Sequence, residues 1–249
     1  MRYFLWLSYD GRDYHGWQVQ PNGISVEEVV EQCLSTLLRK ETDIVGAGRT
    51  DTGVHATGMV AHFDTAEPLA DADSLLHRLD RMLPATISAY ALRPVKPEAH
   101  ARFSAIEREY RYHIILHKDP LLHHCAWQVP FPLDFTLMNE AAEVMRKYED
   151  FTSFSKLHTD VKTNICHISH ARWTQVADGH WCFTIRADRF LRNMVRAIVG
   201  TLLDVGRGKL SIDDMCRIIE RKDRCAAGQS VPAHGLTLCE VAYPDHIFL

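Results

Sequence analysis

The order in which the apolar periodicities change constrains this chain more than anything else in it. Tyr3 to Tyr9 is rich in aromatics and leucine and stops at Asp10-Gly11, which reads as a strand ending in a turn. Ser25 to Lys40 follows, with Val26, Val29, Val30, Cys33, Leu34, Leu37 and Leu38 at helical spacing. Ser25 with Glu28 three residues on makes a capping box at its start. Asp43 to Ala47 and Met59 to Phe63 are short strand candidates. A helix over Asp73 to Leu83 has Leu75, Leu76, Leu79, Met82 and Leu83 on one side and Pro84 to end it, and Ile87 to Val95 returns as a strand. The second half repeats this order. A strand over Glu107 to His117 leads to a helix over Leu137 to Tyr148. Asn164 to Val176 and Trp181 to Ala187 form a hairpin across Asp178-Gly179. Helices follow over Phe190 to Val205 and over Ser211 to Arg221, the latter with Asp214 in the capping-box place, and Leu236 to Tyr243 closes as a strand. Two consecutive β-α-β-β-α-β units predict an α+β fold of two ferredoxin-like halves. The halves share a pattern, not an evident identity. Val95 to Phe103, with Pro97 and little periodicity, carries the boundary: an N-terminal domain over 1–98 and a C-terminal domain over 99–249.

Length and composition fit that reading. The 249 residues are 46% apolar and 24% charged, enough for a sizeable core without metals or disulfides. The net charge of −4 and a pI near 6.4 give no support to nucleic-acid binding, but phosphate is bound by local patches and not by mean charge. The seven cysteines are odd in number and none are spaced C-x-x-C, which argues against a disulfide framework and a thiolate zinc site. The N-terminus reads as a strand and not a signal peptide, and no run approaches the ~20 apolar residues of a membrane span. A soluble, cytoplasmic protein is expected.

The densest chemical signal runs from Gly46 to His55: Gly-Ala-Gly-Arg-Thr-Asp-Thr-Gly-Val-His. Its three glycines permit positive φ and close backbone approach, while Arg49, Asp51 and His55 supply charge and titratable groups. A phosphate cradle fails for want of Gly-Lys-Ser/Thr or a G-x-G-x-x-G opening a long helix. A metal site on Asp51 and His55 lacks further ligands. A tight connection with an Arg-Asp salt bridge on the surface competes evenly with a functional loop on composition alone.

Three further signals accompany it. His100-Ala101-Arg102-Phe103-Ser104 precedes Arg108-Glu109-Tyr110-Arg111-Tyr112, whose tyrosines share one strand face. They form either a stacking platform for a base or part of the core. Arg186 to Lys209 has a net charge of +4, and Arg189, Arg192 and Arg196 at i, i+3 and i+7 predict a basic stripe on one helix face. That stripe suits phosphate, a buried carboxylate or plain solvent. Cys166, His167 and His170 look metal-like, but His167 and His170 face opposite sides of a strand. His123 and His124 read as loop residues.

Tyr9-Asp10-Gly11, Tyr14-His15-Gly16-Trp17-Gln18, Gly48-Arg49-Thr50-Asp51-Thr52-Gly53-Val54-His55, His100 to Ser104, Tyr110-Arg111-Tyr112, Phe151-Thr152-Ser153-Phe154 and Asn193-Met194-Val195-Arg196 occur in that order across nearly the whole chain. Together with the closing Gly235-Leu236 and Val241-Ala242-Tyr243-Pro244, they resemble the tRNA pseudouridine synthase A family. The resemblance implies a pseudouridine synthase fold with a central cleft, a homodimer, no cofactor and no metal. It also implies isomerisation of uridine to pseudouridine at positions 38, 39 and 40 of the tRNA anticodon stem-loop. Carried over residue by residue, Asp51 is the catalytic carboxylate, Arg196 pairs with it, Tyr110 stacks on the target uracil, and Arg49 helps hold the flipped-out nucleotide. One residue departs from the pattern: the family usually has Ala after the central Asp, where this chain has Thr52.

Overall fold

The computed structural model describes residues 1–156 and 163–249. Its elements follow as β1 (Arg2–Tyr9), α1 (Val26–Leu38), β2 (Val45–Gly46), β3 (His55–Asp64), α2 (Ala72–Met82), β4 (Ile87–Val95), β5 (Glu107–Ile115), β6 (Trp127–Gln128), α3 (Phe135–Met145), β7 (Ile168–Ala177), β8 (His180–Ala187), α4 (Met194–Gly206), α5 (Ile212–Arg221) and β9 (Leu236–Ala242). The chain divides into two compact units, one of Met1–Ile106 with Thr237–Leu249 and one of Glu107–Leu236.

In the first unit β1 lies between β4 and β3, antiparallel to both. β2 pairs antiparallel with β3 at Val45↔His62, completing the fourth-first-third-second strand order of a ferredoxin-like unit. β9 runs parallel to β3 at His55↔Thr237 and Ala56↔Leu238. The unbroken apolar run of β1 has a direct cause, because both its faces are buried. Tyr3, Leu5 and Leu7 point to one side, and Phe4 on the other is fully covered. Its ring meets Tyr243 at 5.0 Å and Phe248 at 6.4 Å. The chain's last residues therefore belong with the first unit: they supply the aromatics that seal β1. The expected division at 98/99 had assigned them to the second half.

The helices of this unit start where the sequence places them. Ser25 Oγ accepts the Glu28 N–H at 3.2 Å, and α1 buries Val26, Val30 and Leu34. Asp71 caps α2, which buries Leu75 and Leu79 before the chain turns out at Leu83-Pro84, while Met82 stays exposed.

The second unit has the ladder β5-β8-β7, antiparallel throughout, with β6 added in parallel on β5. The hairpin turns at Asp178-Gly179, where Gly179 has φ +65°. Tyr112, Ile114, Ala171, Trp173, Phe183 and Ile185 alternate onto one buried face. α3 docks on β7, the Asn139 side chain exchanging hydrogen bonds of 3.1 and 2.7 Å with the backbone of Trp173. Ser211 and Asp214 form the full capping box of α5. β7 begins at Ile168 and not at Asn164, and a second expectation fails at the next helix. α4 begins at Met194 and not at Phe190, because Asn193 takes a left-handed conformation with φ +66° that interrupts any helix ahead of it. Arg189 and Arg192 thus precede the helix, and of the three arginines only Arg196 lies on it. No helix among the described residues is long and apolar enough to cross a membrane.

Candidate active site

The segment from Gly46 to His55 leaves β2 and enters β3, which begins earlier than its apolar run suggests. Asp51 opens a tight turn in which the Val54 N–H donates to the Asp51 carbonyl at 3.1 Å. Gly53, with φ +79°, occupies the position that needs a left-handed residue. Thr52 sits at the exposed corner of this turn, where either Ala or Thr points into solvent. The departure at Thr52 therefore leaves the turn's geometry unaffected.

The flanking sequence signals turn out to support this loop. The Tyr9 hydroxyl, at the end of β1, lies 2.9 Å from Thr50 Oγ1, and both groups are buried. The Trp17 N–H donates to the Thr50 carbonyl at 3.3 Å. Glycine is required on the supporting side: a Cβ on Gly16, where φ is +87°, would come within 2.3 Å of the Thr50 carbonyl oxygen, and one on Gly11 within 2.0 Å of the Val54 oxygen. Backbone thus lies directly on backbone on either side of Asp51, which is itself half-buried. His55 Nδ1 accepts the Gly11 N–H at 3.2 Å and lies equally far from Asp10 Oδ1. One nitrogen cannot do both, so the neutral ring keeps the amide and only a protonated ring would turn to Asp10. A hydrogen bond from Arg12 holds the Asp10 carboxyl below its ordinary range despite partial burial.

Arg49 is exposed, and its charge favours the ionised form of Glu27 on α1. Glu27 is a residue that the sequence alone did not single out. Its Oε1 accepts the Trp17 indole N–H at 3.0 Å and its Oε2 the Val19 N–H at 2.9 Å.

The second unit carries Tyr110 and Arg196. The two strand tyrosines have different fates. Tyr112 is fully buried and its hydroxyl donates to the Pro232 carbonyl at 2.8 Å, with burial raising its pKa. Tyr110 is half-buried, its ring edge-on to Phe190 at 5.2 Å. Core and platform were posed as alternatives for the pair, and one tyrosine takes the core. Arg196 stands in the first turn of α4. Its Nε donates to the Val231 carbonyl at 2.8 Å, and its own carbonyl accepts the Val231 N–H at 3.2 Å, which fixes the plane of the guanidinium. The segment holding Val231 presses on α4 closely enough that a Cβ on Gly200 would lie 1.9 Å from the Gln229 carbonyl oxygen. His167 binds Asp188 at 2.9 Å ahead of β7, and no group of three or more metal-ligating side chains forms among the described residues.

Residues 6–104 and 148–244 match a family model described as tRNA pseudouridine synthase. The chain is 58% identical over 247 residues to the tRNA pseudouridine synthase A of Parabacteroides distasonis, a match covering 99% of this chain and 98% of that protein. It is 59% identical over 248 residues to the enzyme of the same name from Bacteroides fragilis, with 99% and 98% covered. A Bacillus subtilis protein, again named tRNA pseudouridine synthase A, is 41% identical over 250 residues, with 98% and 100% covered.

Proposed function

Because the chain belongs to the tRNA pseudouridine synthase family, we propose that it isomerises uridine to pseudouridine in tRNA with Asp51 as the acting carboxylate. The reaction breaks the glycosidic C–N bond, turns the base and joins its C5 to the same sugar carbon; the C5 hydrogen leaves as a proton and the freed N1 takes one up. Atoms and electrons balance within the substrate, so an isomerase of this kind needs no outside reactant. A carboxylate serves by attacking the sugar or base or by taking the proton.

What supports Asp51 is its setting: a half-buried carboxylate on a turn held from below by Tyr9, Trp17 and two glycines pressed against its backbone. A placement this constrained suits a group that must meet a substrate atom to within a fraction of an ångström. Arg196 is assigned as the basic partner of Asp51. Tyr110 stacks on the uracil, and Arg49 steadies the extruded nucleotide. Taking a base out of an RNA stack costs a few kcal/mol, and an aromatic face returns about 1–3 kcal/mol of it. The finer assignment is to positions 38, 39 and 40 of the anticodon stem-loop, by a cytoplasmic homodimer.

The test is proton release from tRNA carrying uridine tritiated at C5. Asp51→Asn is expected to fold and bind tRNA yet release no tritium and form no pseudouridine. Turnover near that of the native protein would overturn the assignment, and product mapping on the tRNA checks the three positions.

A further inference from the structure

We propose that Glu27 is a positioning residue for the Asp51 loop, acting through Trp17; the inference rests on the reading of Asp51 as the acting carboxylate. Trp17 is the loop's main support, with 1% of its surface exposed. It touches the loop at two places. Its N–H donates to the carbonyl of Thr50, the residue before Asp51, and its indole fills the space left by Gly46, where a Cβ would lie 2.3 Å from Nε1. The loop's start and its functional residue both depend on where this one ring sits.

Glu27 fixes the ring. It is the second residue of α1, and its backbone N–H donates to the Trp17 carbonyl at 3.0 Å while its two carboxylate oxygens take the indole N–H and the Val19 N–H. Trp17 is thereby tied to the helix start at both its main chain and its ring tip. The helix N-terminus favours a negative charge there, and Arg49 adds a cation from the loop itself. Burial raises the Glu27 pKa, while the Val19 and Trp17 N–H groups and Arg49 favour its charged form. Glutamine keeps the size of the side chain but offers one acceptor where two donors converge and removes the charge beside Arg49.

This separates positioning from simple support. Glu27→Gln is expected to lower kcat about tenfold through a displaced loop, with KM for tRNA within about twofold and Tm lowered by no more than a few degrees. Glu28→Gln makes the same change of charge one residue along and should leave kcat as it is. Trp17→Phe removes the indole N–H, and its effect on kcat should not add to that of Glu27→Gln, because both break the same bond. A native kcat in Glu27→Gln alongside an inactive Asp51→Asn overturns this inference and spares the carboxylate. A loss of kcat confined to temperatures at which the variant is partly unfolded also overturns it. An active Asp51→Asn overturns the reading on which the inference rests.

Discussion

The two units hold their proposed site residues in opposite ways. In the first, Asp51 sits at a turn outside any strand or helix, and its position is borrowed from neighbours: Tyr9 on β1, Trp17 in the following loop, Glu27 on α1. In the second, Tyr110 and Arg196 stand on a regular strand and helix whose own packing fixes them. The difference bears on mutation. The carboxylate can be changed without touching a core, whereas the surroundings of Arg196 are themselves core, with Gly200 pressed against Gln229. On the proposed assignment, chemistry and stability separate in the first unit and are joined in the second.

The largest effect that would break this contrast is at Asp51. Asp51→Asn is expected to lower kcat by at least about a thousandfold with Tm within a few degrees of the native protein. A comparable fall in Tm would show that the loop is structural after all.

Acid should weaken both units, for the same reason in each. Burial pushes His62 in β3 down to about 4 from an ordinary 6.5, helped by Arg2 and His100, and burial together with His180 and Arg111 does the same to His113 in β5. A folded pKa below the unfolded one means that the folded state binds the proton less well. Stability is therefore complete above about pH 6.5 and is lost as the pH falls toward 4, by at most about 3 kcal/mol per histidine. Urea midpoints between pH 7 and 4.5 measure this, and His62→Gln against His113→Gln tells the two units apart.

A pair of glycines sharpens the comparison next. Gly200→Ala must displace the segment that holds Arg196, so Tm and kcat should fall together, with about 2 kcal/mol of stability lost. Gly48→Ala in the first unit's loop meets nothing within 4 Å and should be nearly silent in both. Smallest is the platform. Tyr110→Ala is expected to lower kcat/KM about tenfold, while Tyr110→Phe keeps the ring and stays within about threefold of native. Equal losses in the two variants would remove the stacking role.

Local rules made most of the fold legible. Ser25, Asp71 and Ser211 cap their helices where side-chain oxygens can meet exposed N–H groups, and Asp178-Gly179 turns the hairpin because glycine accepts positive φ. Where local patterns failed, a long-range partner had decided. The helical spacing from Phe190 continues through Asn193, yet that residue is left-handed, its side chain donating to Ser230 Oγ at 2.6 Å. The basic stripe of Arg189, Arg192 and Arg196 dissolved with it.

By itself the sequence determined the α+β class, most of the element order, the Gly46 to His55 loop and the candidate site residues, since these depend on periodicity, capping and residue type. Tertiary structure alone decided that the last residues return to β1, that Tyr112 is core while Tyr110 stays half-buried, and that Glu27 supports Trp17 beneath the loop. Each of those outcomes depends on residues far apart in sequence competing for the same buried space and the same hydrogen bonds, and no local spacing records which of them wins.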